Sequence, residues 1–202
     1  MIHTTTSDFT RRAFITSIAA MALVPNSAAA LTDAQAKNLV NKVVRDINKV
    51  ITSGKPLSNM IDQFERIFVR YGDVAIIARS ALGPDARSLS KSQLNAYTKV
   101  FQGYVSRKYG KRFNEFVGGN IEVQDARKVK SFHEVRTETT LRGQAPFALN
   151  FLVSDRSGKP KFFDMIIEGI SLRLSEKSEI GAMLDKRKGN FDLFLKDLKN
   201  AG

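Results

Sequence analysis

Two runs of alternating hydrophobic residues, both between Gln144 and Leu174, constrain the fold of this chain more than any other feature. Their members are large and apolar and occupy every second position: Phe147, Leu149, Phe151 and Val153 in the first run, Phe163, Met165 and Ile167 in the second. A period of two places such residues on one face of a strand. The break between the runs contains Ser157, Gly158 and Pro160, which favour a turn. The sequence therefore predicts a β-hairpin with one strongly hydrophobic face.

The hydrophobic face of this hairpin has to be covered by something. Phe147, Phe151 and Phe163 give it a large apolar area. A sheet face of this kind is buried either against helices or against an apolar ligand. The first possibility predicts an ordinary packed core, and the second predicts a binding cavity between the sheet and the helices.

The N-terminal residues have the pattern of an export signal. Arg11 and Arg12 precede a weakly apolar run from Ala13 to Val24, and Ala28 and Ala30 supply the small residues that a signal peptidase needs. The apolar run is shorter than the roughly 20 residues that span a bilayer, which argues against a membrane anchor. We expect residues 1–30 to be a twin-arginine-type signal peptide and residues 31–202 to form a single domain. Removal of the leader would change the net charge from +12 to +11.

Composition excludes several classes of function. The chain has no cysteine, which rules out thiol catalysis, thiolate metal sites and iron–sulfur clusters. Its net charge of +12 favours anionic partners: nucleic acid, acidic proteins or phospholipid headgroups. Nucleic acid is disfavoured, because the basic residues are scattered and no known nucleic-acid-binding pattern is present. Headgroups and acidic proteins remain.

Helical patterns surround the strands on both sides. A capping box at Thr32 and Gln35 begins a helix that should end near Thr52, and further helices are predicted over 57–71 and 74–82. Strands follow at 121–123 and 135–141, and after the hairpin two helices are predicted near 175–188 and 191–198. The order of helices, antiparallel strands and helices predicts an α+β fold.

A second capping box, at Ser90 and Gln93, begins a long helix from Lys91 that should end before Gly118. This helix carries two contrasting faces. One is aromatic and includes Phe101, Tyr104 and Tyr109, with Phe113 further along. The other is basic and includes Lys99, Arg107, Lys108, Lys111 and Arg112. The aromatic stripe is predicted to face the hairpin. The basic face is interpreted either as a solvated surface or as a docking surface for acidic partners.

The sequence offers few candidates for catalysis. His133 is the one histidine after the leader, and a single histidine cannot build the usual zinc sites. Ser171 has no base near it in sequence and is predicted to end a strand. Asp164 and Glu168 are spaced to share a strand face, where hydrogen bonds to adjacent loops or pairing with arginines are favoured over an acid pair. We therefore expect no enzyme activity and no metal site.

Four segments together resemble a known family. They are FVRYGD at 68–73, ARSALG at 78–83, FxxYVxxxY at 101–109 and FDMIIEGISL at 163–172. In this order they resemble the MlaC/toluene-tolerance family of periplasmic phospholipid-binding proteins, and the last segment is the most specific. The resemblance covers nearly all of the chain after the leader.

The resemblance implies a fold, a function and a set of binding residues. The fold would be a curved antiparallel sheet wrapped by N- and C-terminal helices, with an apolar cavity between them. The protein would be a periplasmic, monomeric carrier that shuttles phospholipid between an inner-membrane transport complex and an outer-membrane lipoprotein complex, thereby maintaining outer-membrane lipid asymmetry, with no cofactor besides bound lipid. The residues expected to line the cavity are Phe68, Tyr71, Val74, Phe101, Tyr104, Val105, Tyr109, Phe113, Phe147, Leu149, Phe151, Phe163, Met165, Ile167, Ile170 and Leu172.

Two other functions remain open at this stage. One is a non-catalytic envelope adaptor whose core is filled and holds no lipid. The other is a lipid-modifying hydrolase, for which the sequence supplies no convincing nucleophile and base. A carrier should co-purify with phospholipid, whereas an adaptor should not.

Overall fold

The computed structural model describes Met1 and residues 30–202, except the side chains of Phe113 and Asn114. Of the predicted signal peptide, residues 1–30, all but Met1 and Ala30 lie outside the described residues. The helices are α1 (Asp33–Ile51), α2 (Leu57–Tyr71), α3 (Val74–Leu82), α4 (Lys91–Gly110), α5 (Phe113–Phe116), α6 (Leu172–Lys186) and α7 (Phe191–Asn200). The strands are β1 (Asn120–Val129), β2 (Phe132–Thr140), β3 (Phe147–Ser154), β4 (Lys161–Ile167) and β5 (Ile170–Ser171).

The five strands form one curved antiparallel sheet in sequence order, so the predicted α+β class is confirmed. β3 and β4 are the predicted hairpin. On β3 the alternation holds, because Leu149, Phe151 and Val153 are all buried on one face. The first strand is longer than predicted and contains an irregularity after Val123, which adds curvature.

A bulge in β4 overturns the predicted orientation of Phe163. Met165 pairs with Phe151 and Phe162 pairs with Val153, so that one extra residue lies between the two pairs. Residues beyond the bulge therefore change faces. Phe162 lies on the buried face, 3% exposed, while Phe163 points to the other side and packs edge-on against Phe132, with 5.6 Å between ring centroids. The prediction that Phe163 shares a face with Met165 is wrong for this reason.

The helices form two groups around the sheet. α1 packs across β1 and β2, and α2 packs on α1 and α4. α3, α4, α6 and α7 pack mainly on one another, beside the β4 end of the sheet. The sheet therefore has α1 and α2 over one part of its concave face and a helical core at its edge.

The long helix is shorter than predicted and faces a different neighbour. α4 ends at Gly110, where a Cβ atom would come within 2.8 Å of the Ile61 side chain of α2, and a separate short helix, α5, follows. Tyr97 and Phe101 contact each other, and Tyr97 stacks on Phe194 of α7. Most of the aromatic stripe thus packs into the helical core and not onto the hairpin.

The basic residues near the end of α4 bond within the molecule. Arg107 donates to the carbonyl oxygens of Leu198, Lys199 and Ala201, with distances of 2.7 to 3.2 Å. Lys111 donates to the carbonyl oxygen of Gly202. These two cations therefore tie the last residues to α4, which neither interpretation of the basic face included.

Replacement of Arg107 should loosen the end of the chain without unfolding the domain. In Arg107→Met we expect amide hydrogen exchange at Ala201 to accelerate on the order of tenfold, because hydrogen bonds from a charged donor are lost. Lys99→Met, at an exposed position of the same helix, is the control and should leave this exchange unchanged. Equal exchange rates at Ala201 in both variants would mean that the hydrogen bonds from Arg107 to the carbonyl oxygens near the end of the chain are not formed in solution.

Candidate functional site

A cavity of about 350 Å³ lies between the concave face of the sheet and the helices. It is bounded by α1, α2, the end of α4, α5, and strands β1, β3 and β4. Its lining residues are Ile47, Phe64, Tyr109, Arg112, Phe116, Ile121, Leu141, Gln144, Ala145, Phe147, Leu149, Phe151, Met165, Ile167 and Glu168. The volume falls in the usual range for sites that bind small molecules, and most of the lining is apolar.

The polar lining residues mark the mouth of the cavity. Arg112, Gln144 and Glu168 are exposed and lie beside α5, in the loop between β2 and β3, and in the turn after β4. Phe151 and Met165, in contrast, are buried among the inner lining residues. A molecule with a long apolar part and a polar end would therefore match both regions.

Six of the predicted site residues line this cavity. They are Tyr109, Phe147, Leu149, Phe151, Met165 and Ile167. Five of them come from the predicted hairpin, in which hydrophobic residues occupy every second position. The period-two pattern identified the cavity floor, because on β3 it places every second side chain on the concave face.

The other predicted residues lie elsewhere. Phe101, Tyr104 and Val105 are at most 1% exposed and belong to the helical core. Phe68 packs on Phe162, and Tyr71 donates a 2.7 Å hydrogen bond to Asp46. Val74, Phe163, Ile170 and Leu172 are also outside the cavity lining, and the side chain of Phe113 is not among those described.

Several lining residues were absent from the prediction. Ile47 and Phe64 lie on the buried stripes of α1 and α2, and Ile121 and Leu141 lie on or next to β1 and β2. Helical periodicity did identify both stripes as buried. It could not show that they, and not the aromatic stripe of α4, face the sheet.

The family follows from the comparison with known proteins. Residues 27–200 match a family model described as MlaC protein. The chain belongs to the MlaC protein family. A solved structure with the same fold is that of a phospholipid-binding protein from Ralstonia solanacearum, in complex with a phospholipid. It is 19% identical in sequence, the match covers 81% of this chain and 98% of that one, and the TM-score is 0.68.

In this MlaC family member, a buried polar network supports one wall of the cavity. Tyr109 donates a 2.6 Å hydrogen bond to Glu176, whose side chain is fully buried, and Lys108 donates to the same carboxylate oxygen at 2.8 Å. Burial and the hydrogen bond to Glu176 raise the pKa of Tyr109. The hydroxyl therefore stays protonated and is held by Glu176.

The polar residues considered for catalysis have structural roles. The Nδ1 atom of His133 lies 2.6 Å from the Asp33 carboxylate. Ser171 ends β5, caps α6 and donates to Asp164, which also accepts from the backbone of Arg173. Asp164 is thus paired with the loop and with Arg173, as predicted. Within residues 30–202, no cluster of three or more acidic or histidine side chains could hold a metal ion.

The helices of the described residues were also compared with the requirements of a membrane span. None of them is both long enough and apolar enough to cross a bilayer.

Proposed function

We propose that this MlaC family member binds a phospholipid in the cavity and carries it between membranes. The observation that supports this most strongly is the combination of an apolar interior, built from β3, β4, α1 and α2, with a polar mouth containing Arg112, Gln144 and Glu168. Acyl chains match the first and a headgroup matches the second. The similar protein from Ralstonia solanacearum was solved with a phospholipid, which supports the same class of ligand.

The proposal includes the carrier's route and its lack of catalysis. We infer that it is a periplasmic monomer that exchanges lipid with an inner-membrane transport complex and an outer-membrane lipoprotein complex, and so helps maintain outer-membrane lipid asymmetry. The membership of the MlaC family supports this route. The structural roles of Asp164, Ser171 and His133 support a binding protein and not a hydrolase.

Cleavage after Ala30 would be compatible with the folded domain. Leu31 is 7% exposed, and its backbone nitrogen donates a 3.2 Å hydrogen bond to Asp155. After cleavage, the new ammonium group at Leu31 would lie beside the carboxylate of Asp155, and the two opposite charges would attract each other. This contact supports export with a leader that is removed at residue 30.

Native mass spectrometry of the purified protein tests the carrier against the adaptor. A carrier should show an additional mass equal to one phospholipid, which disappears after delipidation. Protein that is free of lipid and that takes up none from mixed detergent–lipid solutions would favour the adaptor with a filled core.

A carboxylate in the cavity should remove the ligand. Leu149 lines the cavity, so in Leu149→Asp we expect lipid retention to be lost, because an unpaired charge in an apolar site costs several kcal/mol. Ala148→Asp, the next residue on the exposed face of β3, is the matched control and should retain lipid. Retention in a folded Leu149→Asp variant, measured by native mass spectrometry, would contradict the proposed position of the ligand.

A further inference from the structure

Two strongly exposed hydrophobic residues of the described chain lie close in sequence to residues that line the cavity. Among the described residues after Ala30, five large hydrophobic side chains are strongly exposed: Val69, Val117, Ile170, Leu174 and Leu193. The two most exposed, Ile170 at 65% and Leu174 at 63%, are four residues apart, at β5 and the first turn of α6. Val117 directly follows Phe116, which lines the cavity. Val117 and Ile170 thus lie within two residues of the lining residues Phe116 and Glu168, and Leu174 follows Ile170 in the first turn of α6.

The register of the sheet shows which way Ile170 points. Ile167 and Ile170 are paired across the tight turn at Glu168 and Gly169, both of which have positive φ. Directly paired residues of an antiparallel hairpin project from the same face. Ile167 lines the cavity, so Ile170 stands on the concave side as well, just outside the mouth.

Cationic side chains accompany these apolar ones. Arg142 is exposed in the loop that supplies Leu141 and Gln144 to the cavity lining, and in the described part of the chain no carboxylate pairs with it. Arg112 lines the mouth and pairs with Glu115. Arg173, in contrast, pairs with Asp164 and lies over the Phe163 ring on the opposite face of the sheet. The whole chain carries a net charge of +12, so its long-range field attracts anionic surfaces.

We propose that the rim formed by Val117, Ile170 and Leu174, together with Arg142, docks directly onto an anionic phospholipid surface and opens the cavity mouth towards it. This proposal rests on the carrier function and adds how lipid reaches the cavity. Exposed aliphatic side chains enter the boundary between headgroups and acyl chains, and nearby cations bind the anionic headgroups. A lipid could then move from the bilayer into the cavity without crossing water.

Tryptophan reporters test this placement, because the chain contains no tryptophan of its own. Leu174→Trp places one at the rim, and Leu193→Trp places one on α7, at an exposed position outside the mouth. On vesicles of equal parts phosphatidylglycerol and phosphatidylcholine, we expect a blue shift of emission for Leu174→Trp alone. Neither reporter should shift on pure phosphatidylcholine, and salt should reverse the shift.

A pair of charge substitutions gives the affinity test. In Ile170→Asp/Leu174→Asp, vesicle binding by sedimentation should fall by at least about tenfold, since two large apolar contacts are lost. Val69→Asp/Leu193→Asp is the matched control and should bind as the parent does. Ile170→Ser/Leu174→Ser is the milder variant if the first pair disturbs folding. Parent and variants carry the same N-terminus, so any contribution of residues 2–29 cancels.

The outcomes separate this proposal from the carrier function. Normal vesicle binding by both rim variants, or equal shifts of the two reporters, overturns the rim proposal. Unchanged vesicle binding combined with a loss of lipid transfer to a membrane protein complex would assign the rim to a protein partner and also overturn it. Native mass spectrometry of each variant reports cavity occupancy independently, and an empty parent would contradict the carrier function itself.

Discussion

Phe101→Ala should destabilise the protein by about 3–5 kcal/mol, and by the same amount with and without bound lipid. Phe101 is fully buried and contacts the rings of Tyr97 and Tyr104, so its removal leaves an empty space in the helical core. No ligand in the cavity can fill that space, because Phe101 is not part of the cavity lining. The measurement is the free energy of unfolding from urea titrations of lipid-loaded and delipidated protein.

Phe151→Ala is the matched substitution at the cavity. Phe151 is also fully buried, but one side of it lines the cavity while the other packs edge-on against Phe162. In delipidated protein we expect a loss similar to that of Phe101→Ala. In lipid-loaded protein the loss should be clearly smaller, because a mobile acyl chain can occupy the vacated volume. A lipid-dependent loss at Phe101, or none at Phe151, would contradict the separation of core and cavity.

Lys108→Met should destabilise the protein by about 3–5 kcal/mol, because it leaves the buried carboxylate of Glu176 without its cation. The Glu176 side chain is completely buried, and its second oxygen has no hydrogen-bond partner among the described residues. Lys108 also donates to Glu179 and, at 3.2 Å, to the Tyr104 hydroxyl. Chemical denaturation measures the loss.

Two further variants show whether the unpaired charge is the cause. Lys99→Met removes an exposed lysine of the same helix and should change stability by less than about 0.5 kcal/mol. Glu176→Gln keeps an acceptor for Tyr109 but removes the charge, so adding it to Lys108→Met should restore part of the stability. A double variant as unstable as the single one would show that lost packing by the lysine side chain, and not the charge, is responsible.

The same network gives a pH dependence with a defined sign. Burial lowers the pKa of Lys108, but hydrogen bonds to Glu176 and Glu179 outweigh it, so the pKa lies above the usual 10.5. Burial raises the pKa of Glu179, but hydrogen bonds from Lys108 and Tyr104 bring it below the usual 4.5. Stabilisation by this pair is therefore fully present between the ordinary pKa values of 4.5 and 10.5. It is lost as the pH rises through the raised pKa of Lys108 or falls through the lowered pKa of Glu179. Lys108→Met should lack the part of the alkaline loss that the lysine contributes, while the part that comes from buried Tyr109, whose pKa is also raised, remains.

The sequence by itself determined the elements and their order. Alternation identified β3 as a half-buried strand, and capping boxes at Thr32 and Ser90 marked the starts of α1 and α4. These signals are local: a strand face repeats every two residues, and a cap involves residues three apart. Such signals can therefore be recognised in a short stretch of sequence, without knowledge of the tertiary contacts. The hairpin residues of the cavity lining were predictable for the same reason.

Tertiary structure alone decided which faces meet. One extra residue in β4 places Phe162, and not Phe163, on the concave face. No local sequence pattern indicates this bulge. The stripe of α4 and those of α1 and α2 are all buried, but only packing places Ile47 and Phe64 over the sheet and Phe101 in the helical core. Burial of an apolar stripe is non-directional, since it lowers the free energy against any apolar surface. The choice among partners depends on shape, such as the close approach of α2 at Gly110, and shape exists only in the folded chain.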